Sequence, residues 1–552
     1  MDFRLAIDTG VLLLYFIVII FIGLRMGRKE DNLEDFALGG RRIPWWAVLA
    51  SLVAAETSAG TFFGTPGEGF SHRDYTYLQL AFGTVIGRIL VSYIFIKPYY
   101  DYKVFSIYEY LTARFGVASK NAASTVFMIT RLLASGARLY VAAIALALAY
   151  EMISGVRPNQ TQTLWIYLGA TIAIVILTAI YTTFGGIKAV IWTDLIQASI
   201  MIGSALIALG LLYFAIPGGW HEIVQRHGEF HVSDLIATGL DPAKSGWDKW
   251  KGMFETEYTI FAGLIGSAFI TMGTHGTDQD MVQRMLTAPD IRRSRRSLIL
   301  SGLADIPLTF TFLSIGLLLW VYYQVHPDPT LSKTPNETFC HFILYQMPVG
   351  LRGLLLAGIF ATAMGSLSTA LNALATSFTR DWYEPYINPV ATDAQSLRAV
   401  RWATVWFSVL MIIVASTTAY LVIVHPNVRI IPIVLGIFGY TYGSLLGVFF
   451  AGMLTKTRGN DRGNVVAMII GFIVVAILNG LPNNIARIVL GITNPHQYPL
   501  YPQPSWLPVM EFPWWIFFGT LVTFSVAVLF KTSHAQLAIN KLGGEASTRH
   551  AS

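Results

Sequence analysis

The chain has 552 residues, of which 54% are hydrophobic and 13% charged, and its mean hydropathy is +0.55. This balance is too apolar for a soluble protein of this length and indicates a membrane protein with many spanning helices. The net charge of +6 comes from short clusters between apolar runs, so we expect membrane topology rather than nucleic-acid binding to account for it.

Apolar runs long enough to cross a membrane, about 20 residues each, recur from residue 10 almost to the C-terminus. They predict an all-α membrane protein with about 13 transmembrane helices. The predicted spans are 10–25, 44–68, 75–97, 121–150, 163–184, 189–216, 257–277, 297–324, 350–378, 400–424, 428–453, 463–483 and 512–530. No small-residue cleavage site follows the first run, so we expect it to remain a helix and not to be removed as a signal peptide.

Basic residues follow the first and the seventh spans. They are Arg25, Arg28, Lys29, Arg41, Arg42, Arg284, Arg292, Arg293, Arg295 and Arg296. Because Lys and Arg favour cytoplasmic loops, this pattern predicts an outside N-terminus and a cytoplasmic C-terminus in the plasma membrane, or the inner membrane if the host is bacterial. The expected partners are the lipid bilayer and a small solute, with no obligate protein partner. Cys340 is the only cysteine, which excludes an intrachain disulfide.

Ten spans between residues 44 and 453 divide into two sets of five that enter the membrane in opposite senses, which predicts a five-plus-five inverted-repeat core. The predicted division of the chain is 1–43 for an extra N-terminal helix and linker, 44–216 for the first repeat, 217–256 for an outside loop, 257–453 for the second repeat, 454–530 for two more helices and 531–552 for a cytoplasmic tail.

The stretch AAETSAGTFFGTPG, residues 54–67, places Gly60, Gly64, Pro66 and Gly67 inside the second span. Unwound backbone inside a membrane is tolerated only where it lines a cavity or is buried in protein. We therefore predict a broken first core helix whose released carbonyls bind a small hard cation. The alternative is that the glycines simply let helices pack closely.

At the symmetric place in the chain, TMGTHGTDQDMVQR, residues 271–284, predicts a broken sixth core helix. Thr271, Thr274 and His275 are candidates for lining the same cavity as the first break. A lone histidine near a helix end is more often a structural residue than a titrating one, so His275 is a weak signal by itself.

Small and hydroxyl side chains share one face of the ninth span, where Thr362, Gly365, Ser366 and Thr369 follow each other at i, i+3, i+4 and i+7. Hydroxyl oxygens suit Na⁺, a hard cation that prefers oxygen ligands. Taken alone, this face is more typical of close helix packing than of ion binding.

Charged residues also fall inside predicted spans, where they are expensive unless paired, protonated or bound to a cation. For Asp194 we favour a functional role. Asp305 is a candidate for binding a substrate hydroxyl or amine, for carrying a proton, or for pairing with an arginine. Arg88, Arg131 and Arg138 either bind a substrate carboxylate or neutralise buried acids, and the sequence leaves both interpretations open. 

Motifs of catalysis are absent from the sequence, which has no H-E-x-x-H, nucleophile elbow or Walker loop. We therefore expect no enzyme activity, no cofactor and no metal other than a hard cation such as Na⁺.

Four ordered stretches resemble the sodium/solute symporter family. They are GGRRIPWWAVLASLVAAETSAGTFFG (39–64), FGGIKAVIWTDLIQ (184–197), GTDQDMVQRML (276–286) and LRGLLLAGIFATAMGSLSTALNA (351–373). The resemblance covers nearly the whole chain and implies the five-plus-five fold and sodium-coupled symport by alternating access. It disfavours a galactose-type site, because the residues around Thr61, Phe82, Thr271 and Asp305 do not reproduce the sugar ligands.

The resemblance also implies ligands for two sodium ions. The first site is implied at Ala54, Thr57, Thr362, Gly365 and Ser366, but Gly365 replaces the hydroxyl residue that most members carry, so one side-chain oxygen is missing. The second site is implied at Asp194, Ser368 and Thr369. Arg138 or Arg131 matches an arginine that binds a carboxylate in some relatives.

Two alternatives stay open at this point. The missing hydroxyl motivates proton coupling through Asp194 or Asp305 in the same fold. A non-concentrative sensor or channel-like protein is a further possibility, although the sequence has no long soluble tail.

Overall fold

The computed structural model describes residues 3–27, 32–156, 158–331, 335–424, 430–481, 507–508, 510–534 and 536–537. Within these ranges the regular elements are helices, and β-type pairing is limited to one isolated bridge between Arg458 and Lys531. The expected all-α class is therefore confirmed.

The helices of the first half are α1 (Phe3–Met26), α2 (Leu33–Leu38), α3 (Trp45–Glu56), α4 (Ala59–His72), α5 (Leu78–Ile94), α6 (Ile96–Asp101), α7 (Glu109–Arg114), α8 (Val117–Ser154), α9 (Gln160–Ala215), α10 (Trp220–His227) and α11 (Gly246–Glu255). Those of the second half are α12 (Ser267–Gly276), α13 (Gln279–Leu286), α14 (Ile291–Val325), α15 (Pro335–Gln346), α16 (Leu351–Phe378), α17 (Asp393–Val424), α18 (Ile430–Leu454), α19 (Asp461–Leu478) and α20 (Pro513–Leu529).

Nine of the described helices are long and apolar enough to cross a membrane, and the bent pair α3 and α4 makes a tenth. Few residues of α1 are buried inside the protein, and the side chains of Leu13 and Ile17 are 55% and 65% exposed. Such apolar surface requires lipid around it. The chain is a multi-pass membrane protein, and the count of 13 spans stays a prediction.

One reason for the lower count is α9, whose 56 residues comprise two helices that meet at a kink. It contains a turn at Gly186, where φ is 50° and ψ is −154°. A Cβ at this position would lie 2.6 Å from the carbonyl oxygen of Phe36, so only glycine fits. The turn falls between the fifth and sixth predicted spans, which here follow one another without a loop.

The break predicted in the first core helix lies between α3 and α4, which are bent by 61°. Ser58, at the junction, has extended backbone angles of −79° and 168°. The seventh predicted span differs from this arrangement, since a π-helical turn, Ala262–Gly266, continues directly into α12. Its helix ends at Gly276, so the interruption before α13 falls at the end of the predicted span.

The chain forms two compact units. One comprises Met1–Leu78, Arg131–Leu235 and Gln279–Val434, and the other Gln79–Thr130, Ile236–Asp278 and Leu435–Ser552.

In the first unit, α16 packs against α9, α17 and α1, and α14 packs against α4. The α4 and α14 backbones come very close, because a Cβ at Gly316 would lie 2.0 Å from the Pro66 carbonyl oxygen. The central helix is α16, most of whose side chains are buried. The fold therefore places the hydroxyl face of α16 inside protein and away from lipid.

In the second unit, α19 packs against α20. The Asp461 carboxylate accepts hydrogen bonds from the amide N–H groups of Ala118 and Ser119 at 3.0 and 2.7 Å and so caps the start of α8.

Two regions that the sequence predicted as loops contain short helices: α10 and α11 lie within 217–256, and α15 lies between the spans of α14 and α16.

Candidate functional site

Backbone hydrogen bonds change partners at the break between α3 and α4. The N–H of Ser58, which would donate to the Ala54 carbonyl in a continuous helix, donates to the Glu56 carbonyl at 2.9 Å. The N–H of Thr61 likewise donates to the Ser58 carbonyl at 2.9 Å and not to that of Thr57. The carbonyls of Ala54 and Thr57 thereby lose their usual helical donors at the place where the sequence predicts ion ligands.

The hydroxyl face of α16 is buried, with Thr362, Ser368 and Thr369 at most 3% exposed and Ser366 partly exposed. Each of these four hydroxyls donates to a carbonyl of its own helix at 2.7 to 3.1 Å. A hydroxyl that donates in this way keeps lone pairs for a cation. α16 also packs against α3, and both helices belong to the first unit. The hydroxyl face therefore lies in the same unit as the carbonyls of Ala54 and Thr57.

Asp194 lies on α9 and is completely buried. Its Oδ2 accepts a hydrogen bond from the Ser51 hydroxyl of α3 at 2.6 Å and lies 3.4 Å from an Arg284 guanidinium nitrogen of α13. The carboxylate therefore joins three helices of the first unit, and its partners include a cation, as the cost of a buried charge requires.

Arg284 continues this contact into a buried ion-pair network. Its Nη1 lies 2.7 Å from Oδ1 of Asp280, and the other Asp280 oxygen lies 3.1 Å from Arg131. The sequence grouped Arg284 with the loop arginines, and that grouping is wrong because its side chain is fully buried. The pairing of Arg131 with Asp280 favours a structural role for Arg131.

The residues predicted to line the substrate cavity lie in both units. In the first unit, Arg138 is partly buried and its Nε donates to the Ala134 carbonyl of its own helix at 3.1 Å. Asp305 lies on α14, is partly buried, and is close to the phenol of Tyr77. Thr61 lies on α4, one turn after the break.

In the second unit, α12 carries the other three candidates. The Thr274 hydroxyl lies 2.9 Å from Nδ1 of His275, and it also bonds the Ile270 carbonyl at 3.1 Å. Thr271 is buried against α5, since a Cβ added to Gly87 of that helix would lie 2.6 Å from the Cβ of Thr271. Their place in a cavity stays a prediction.

Three polar residues of this region were missed by the sequence reasoning: Ser51, Asp280 and Gln197. Gln197 follows Asp194 by three positions and so shares its helix face, a signal that was available. Ser51 and Asp280 had no comparable signal, because their importance comes from contacts between helices. In the described part of the chain, no group of three or more His, Cys, Asp or Glu side chains has a geometry for holding a metal.

The sequence of the chain matches a known protein family. A family model described as the sodium:solute symporter family matches residues 36–471. The chain belongs to this family. The symporter thus couples the transport of a solute to sodium.

Two relatives of the symporter match along most of their length. It is 29% identical over 476 residues to the sodium/sialic acid symporter of Proteus mirabilis (strain HI4320), which covers 85% of this chain and 88% of the relative. It is 28% identical over 457 residues to the sodium/sialic acid symporter of Aliivibrio fischeri (strain ATCC 700601 / ES114), covering 82% and 84%.

Among solved structures, the symporter is similar to a substrate-bound, outward-open Na⁺-coupled sialic acid symporter for which a novel Na⁺ site is described. The TM-score is 0.75 with 25% sequence identity, and the match covers 95% of this chain and 97% of the other. This likeness extends over both units of the chain.

Proposed function

We propose that the symporter carries a small organic acid, driven by Na⁺ bound at the break between α3 and α4. The observation that carries this proposal is the exchange of backbone partners at Ser58 and Thr61, which releases the Ala54 and Thr57 carbonyls. Backbone carbonyls freed inside a membrane protein are the oxygens that replace the water shell of a small cation.

The first sodium site consists of these two carbonyls with the hydroxyls of Thr362 and Ser366. Burial of Thr362 keeps water away from the ion and strengthens its attraction to the surrounding oxygens. Gly365 supplies no side-chain oxygen, so this site relies more heavily on the α3 carbonyls.

The second sodium site consists of Asp194 with the hydroxyls of Ser368 and Thr369. Only one oxygen of the Asp194 carboxylate is used by Ser51 and Arg284. Its other oxygen, Oδ1, is buried without a hydrogen-bond donor in the described residues. A cation at Oδ1 compensates a group that is otherwise costly to bury.

Arg138 is the proposed anchor for the carboxylate of the solute. A guanidinium binds a carboxylate through two parallel hydrogen bonds, which a neutral sugar does not offer. The similarity to two sodium/sialic acid symporters supports an acidic solute. Thr61 and Asp305 belong to the same unit as Arg138 and are the other proposed solute contacts of that unit.

Sodium binding and solute binding are linked in this mechanism. Na⁺ holds α3 against α16 in the outward-open form, which raises the affinity for the solute before the protein opens inward. Each positive charge that enters gains about 2.3 kcal/mol per 100 mV. One ion supports a solute gradient of roughly 50-fold and two ions roughly 2500-fold, so the number of sodium sites sets the accumulation ratio.

Uptake into proteoliposomes tests the proposal. The purified protein is supplied with an inward Na⁺ gradient and with labelled sialic acid, a short monocarboxylate or myo-inositol as the neutral control. We expect Na⁺-dependent uptake of an acid. Uptake driven by a pH gradient without Na⁺, or uptake of myo-inositol alone, contradicts the proposal and favours proton coupling or a neutral solute.

Variants then separate the two roles. Thr362→Val and Asp194→Asn are expected to weaken Na⁺ activation at least about tenfold, the effect of losing about 1.4 kcal/mol of ion binding. Thr417→Val is the matched control, because Thr417 is an exposed hydroxyl that also bonds its own helix. Arg138→Ala should abolish uptake of the acid while Na⁺ binding persists.

A further inference from the structure

Two buried oxygens face the space beside Gly365. A Cβ placed on this glycine would lie 2.9 Å from Oε1 of Gln197 and 3.5 Å from Oδ1 of Asp194. Both side chains lie on α9 and are at most 2% exposed. Within the residues that the structure describes, neither oxygen has a hydrogen-bond donor.

The orientation of Gln197 is fixed by its other end. Its Nε2 donates to the Tyr15 hydroxyl of α1 at 3.3 Å, and that hydroxyl donates in turn to the sulfur of Met364 at 3.8 Å. Tyr15 is 6% exposed, so the contact is shielded from water. With the nitrogen held by Tyr15, the carbonyl oxygen of Gln197 is directed at the space beside Gly365.

This arrangement has the chemistry of a cation site. The carboxylate oxygen and the carboxamide oxygen are both acceptors, so they repel each other unless a cation or a proton lies between them. Asp194 carries one negative charge and Gln197 none, which suits a monovalent ion better than a divalent one. The absence of a side chain at Gly365 leaves room for that ion.

We propose that Gln197 Oε1 is a ligand of the second sodium ion, together with Asp194 Oδ1, in the space that Gly365 leaves open. The proposal rests on the proposed function, because it adds a ligand to the Asp194 site. At this second site α9 would then supply two oxygens beside Gly365, a position where α16 has no side-chain oxygen.

Substitution of Gln197 is the direct test. Gln197→Leu keeps the size of the side chain and removes the oxygen, so the affinity for Na⁺ should fall at least about tenfold. Radiolabelled Na⁺ binding to the full-length purified protein measures this, with the number of ions bound at saturation. Ser199→Ala is the control, since Ser199 is an exposed residue of the same helix whose hydroxyl bonds the Leu195 carbonyl.

A second pair of variants guards against a folding defect. Gly365→Ser in the native background brings its Cβ within 2.9 Å of Gln197 Oε1, and we expect it to weaken Na⁺ binding at least about tenfold. Combining it with Gln197→Ala removes the clash and supplies a hydroxyl oxygen in place of the lost one. The double variant should bind Na⁺ more tightly than Gln197→Ala alone, which a purely structural role for Gln197 does not produce.

The outcomes separate this inference from the proposed function. If Asp194→Asn weakens Na⁺ binding but Gln197→Leu does not, the site stands and the role of Gln197 is refuted. If neither variant changes Na⁺ binding, the second site itself is wrong. If Gln197→Leu alters the pH dependence of solute binding but not Na⁺ binding, the space holds a proton and the inference is again overturned.

Discussion

Arg284 offers the sharpest test of the buried network, because its side chain contacts Ser51, Asp194 and Asp280 and is fully buried. The substitution Arg284→Ala leaves two buried carboxylates with one fewer cation between them. Removing one partner of a buried ion pair costs about 3–5 kcal/mol, since the remaining charge stays out of water without compensation.

The size of the measured shift follows from the length of the chain. An unfolding entropy of about 2.1 cal/mol/K per residue gives about 1.2 kcal/mol/K for 552 residues. A loss of about 3–5 kcal/mol therefore lowers the Tm by about 3–4 °C. Arg284→Lys keeps the charge but loses the planar fork of donors, so its shift should be smaller.

The protein contains its own reporter for this assay. Cys340 is the only cysteine of the chain, and it is completely buried in α15. Burial raises the pKa of its thiol, which keeps the reactive thiolate scarce until the protein unfolds. A fluorogenic maleimide thus becomes fluorescent as the protein melts, and the midpoint gives the Tm.

Arg293→Ala is the matched control, because Arg293 is 56% exposed and pairs with Asp290 at the surface, where such a pair contributes about 0–1 kcal/mol. Its Tm should change by less than about 1 °C. Equal shifts for Arg284→Ala and Arg293→Ala would refute the reasoning, since they would mean that the buried network adds nothing to stability.

Two further predictions concern other parts of the first unit. Gly186→Ala should lower the free energy of unfolding by about 2–4 kcal/mol, because alanine is strained at a φ of 50° and its Cβ would clash with Phe36. Gly210→Ala in the same helix is the control, since a Cβ there has no neighbour within 4 Å. The same thermal assay should show little change for this control. Burial raises the pKa of Asp328, but hydrogen bonds from Thr330 and His341 outweigh this effect, so the pKa of the carboxyl lies below its usual value. The ionised carboxylate therefore stabilises the folded protein above about pH 4. This stabilisation should be lost as the pH falls through the lowered pKa. A Tm measured against pH checks this, and Asp328→Asn should flatten the decline; an unchanged slope in that variant would argue against it.

The sequence predicts those features that follow from rules of the membrane itself. The break at residues 54–67 was predictable because helix-breaking residues inside hydrocarbon need a local reason, and Asp194 was singled out because a carboxylate there is expensive. Both inferences use only the composition of one span. The carbonyls released at the break lie at the predicted positions for the same reason.

Features that depend on contacts between helices were not predictable from the sequence. Arg284 resembles its neighbouring loop arginines in sequence, and its burial becomes evident only when α13 is placed against α3 and α9. The turn at Gly186 could not be predicted, because the two spans meet at a single glycine and no polar loop separates them in the sequence. The 12 residues of α15 are too short and too mixed in composition to be distinguished from a loop.

The ion-pair network of Arg131, Asp280, Arg284 and Asp194 contains two cations and two anions, so it has no net charge of its own. When the carrier is empty, these four buried groups therefore give the membrane voltage nothing to act on. At the proposed second sodium site, a Na⁺ bound to Asp194 would add one positive charge to these four groups, and the resting potential favours its inward movement. On the proposed mechanism we therefore expect the sodium-loaded step to depend on voltage more strongly than the empty return step.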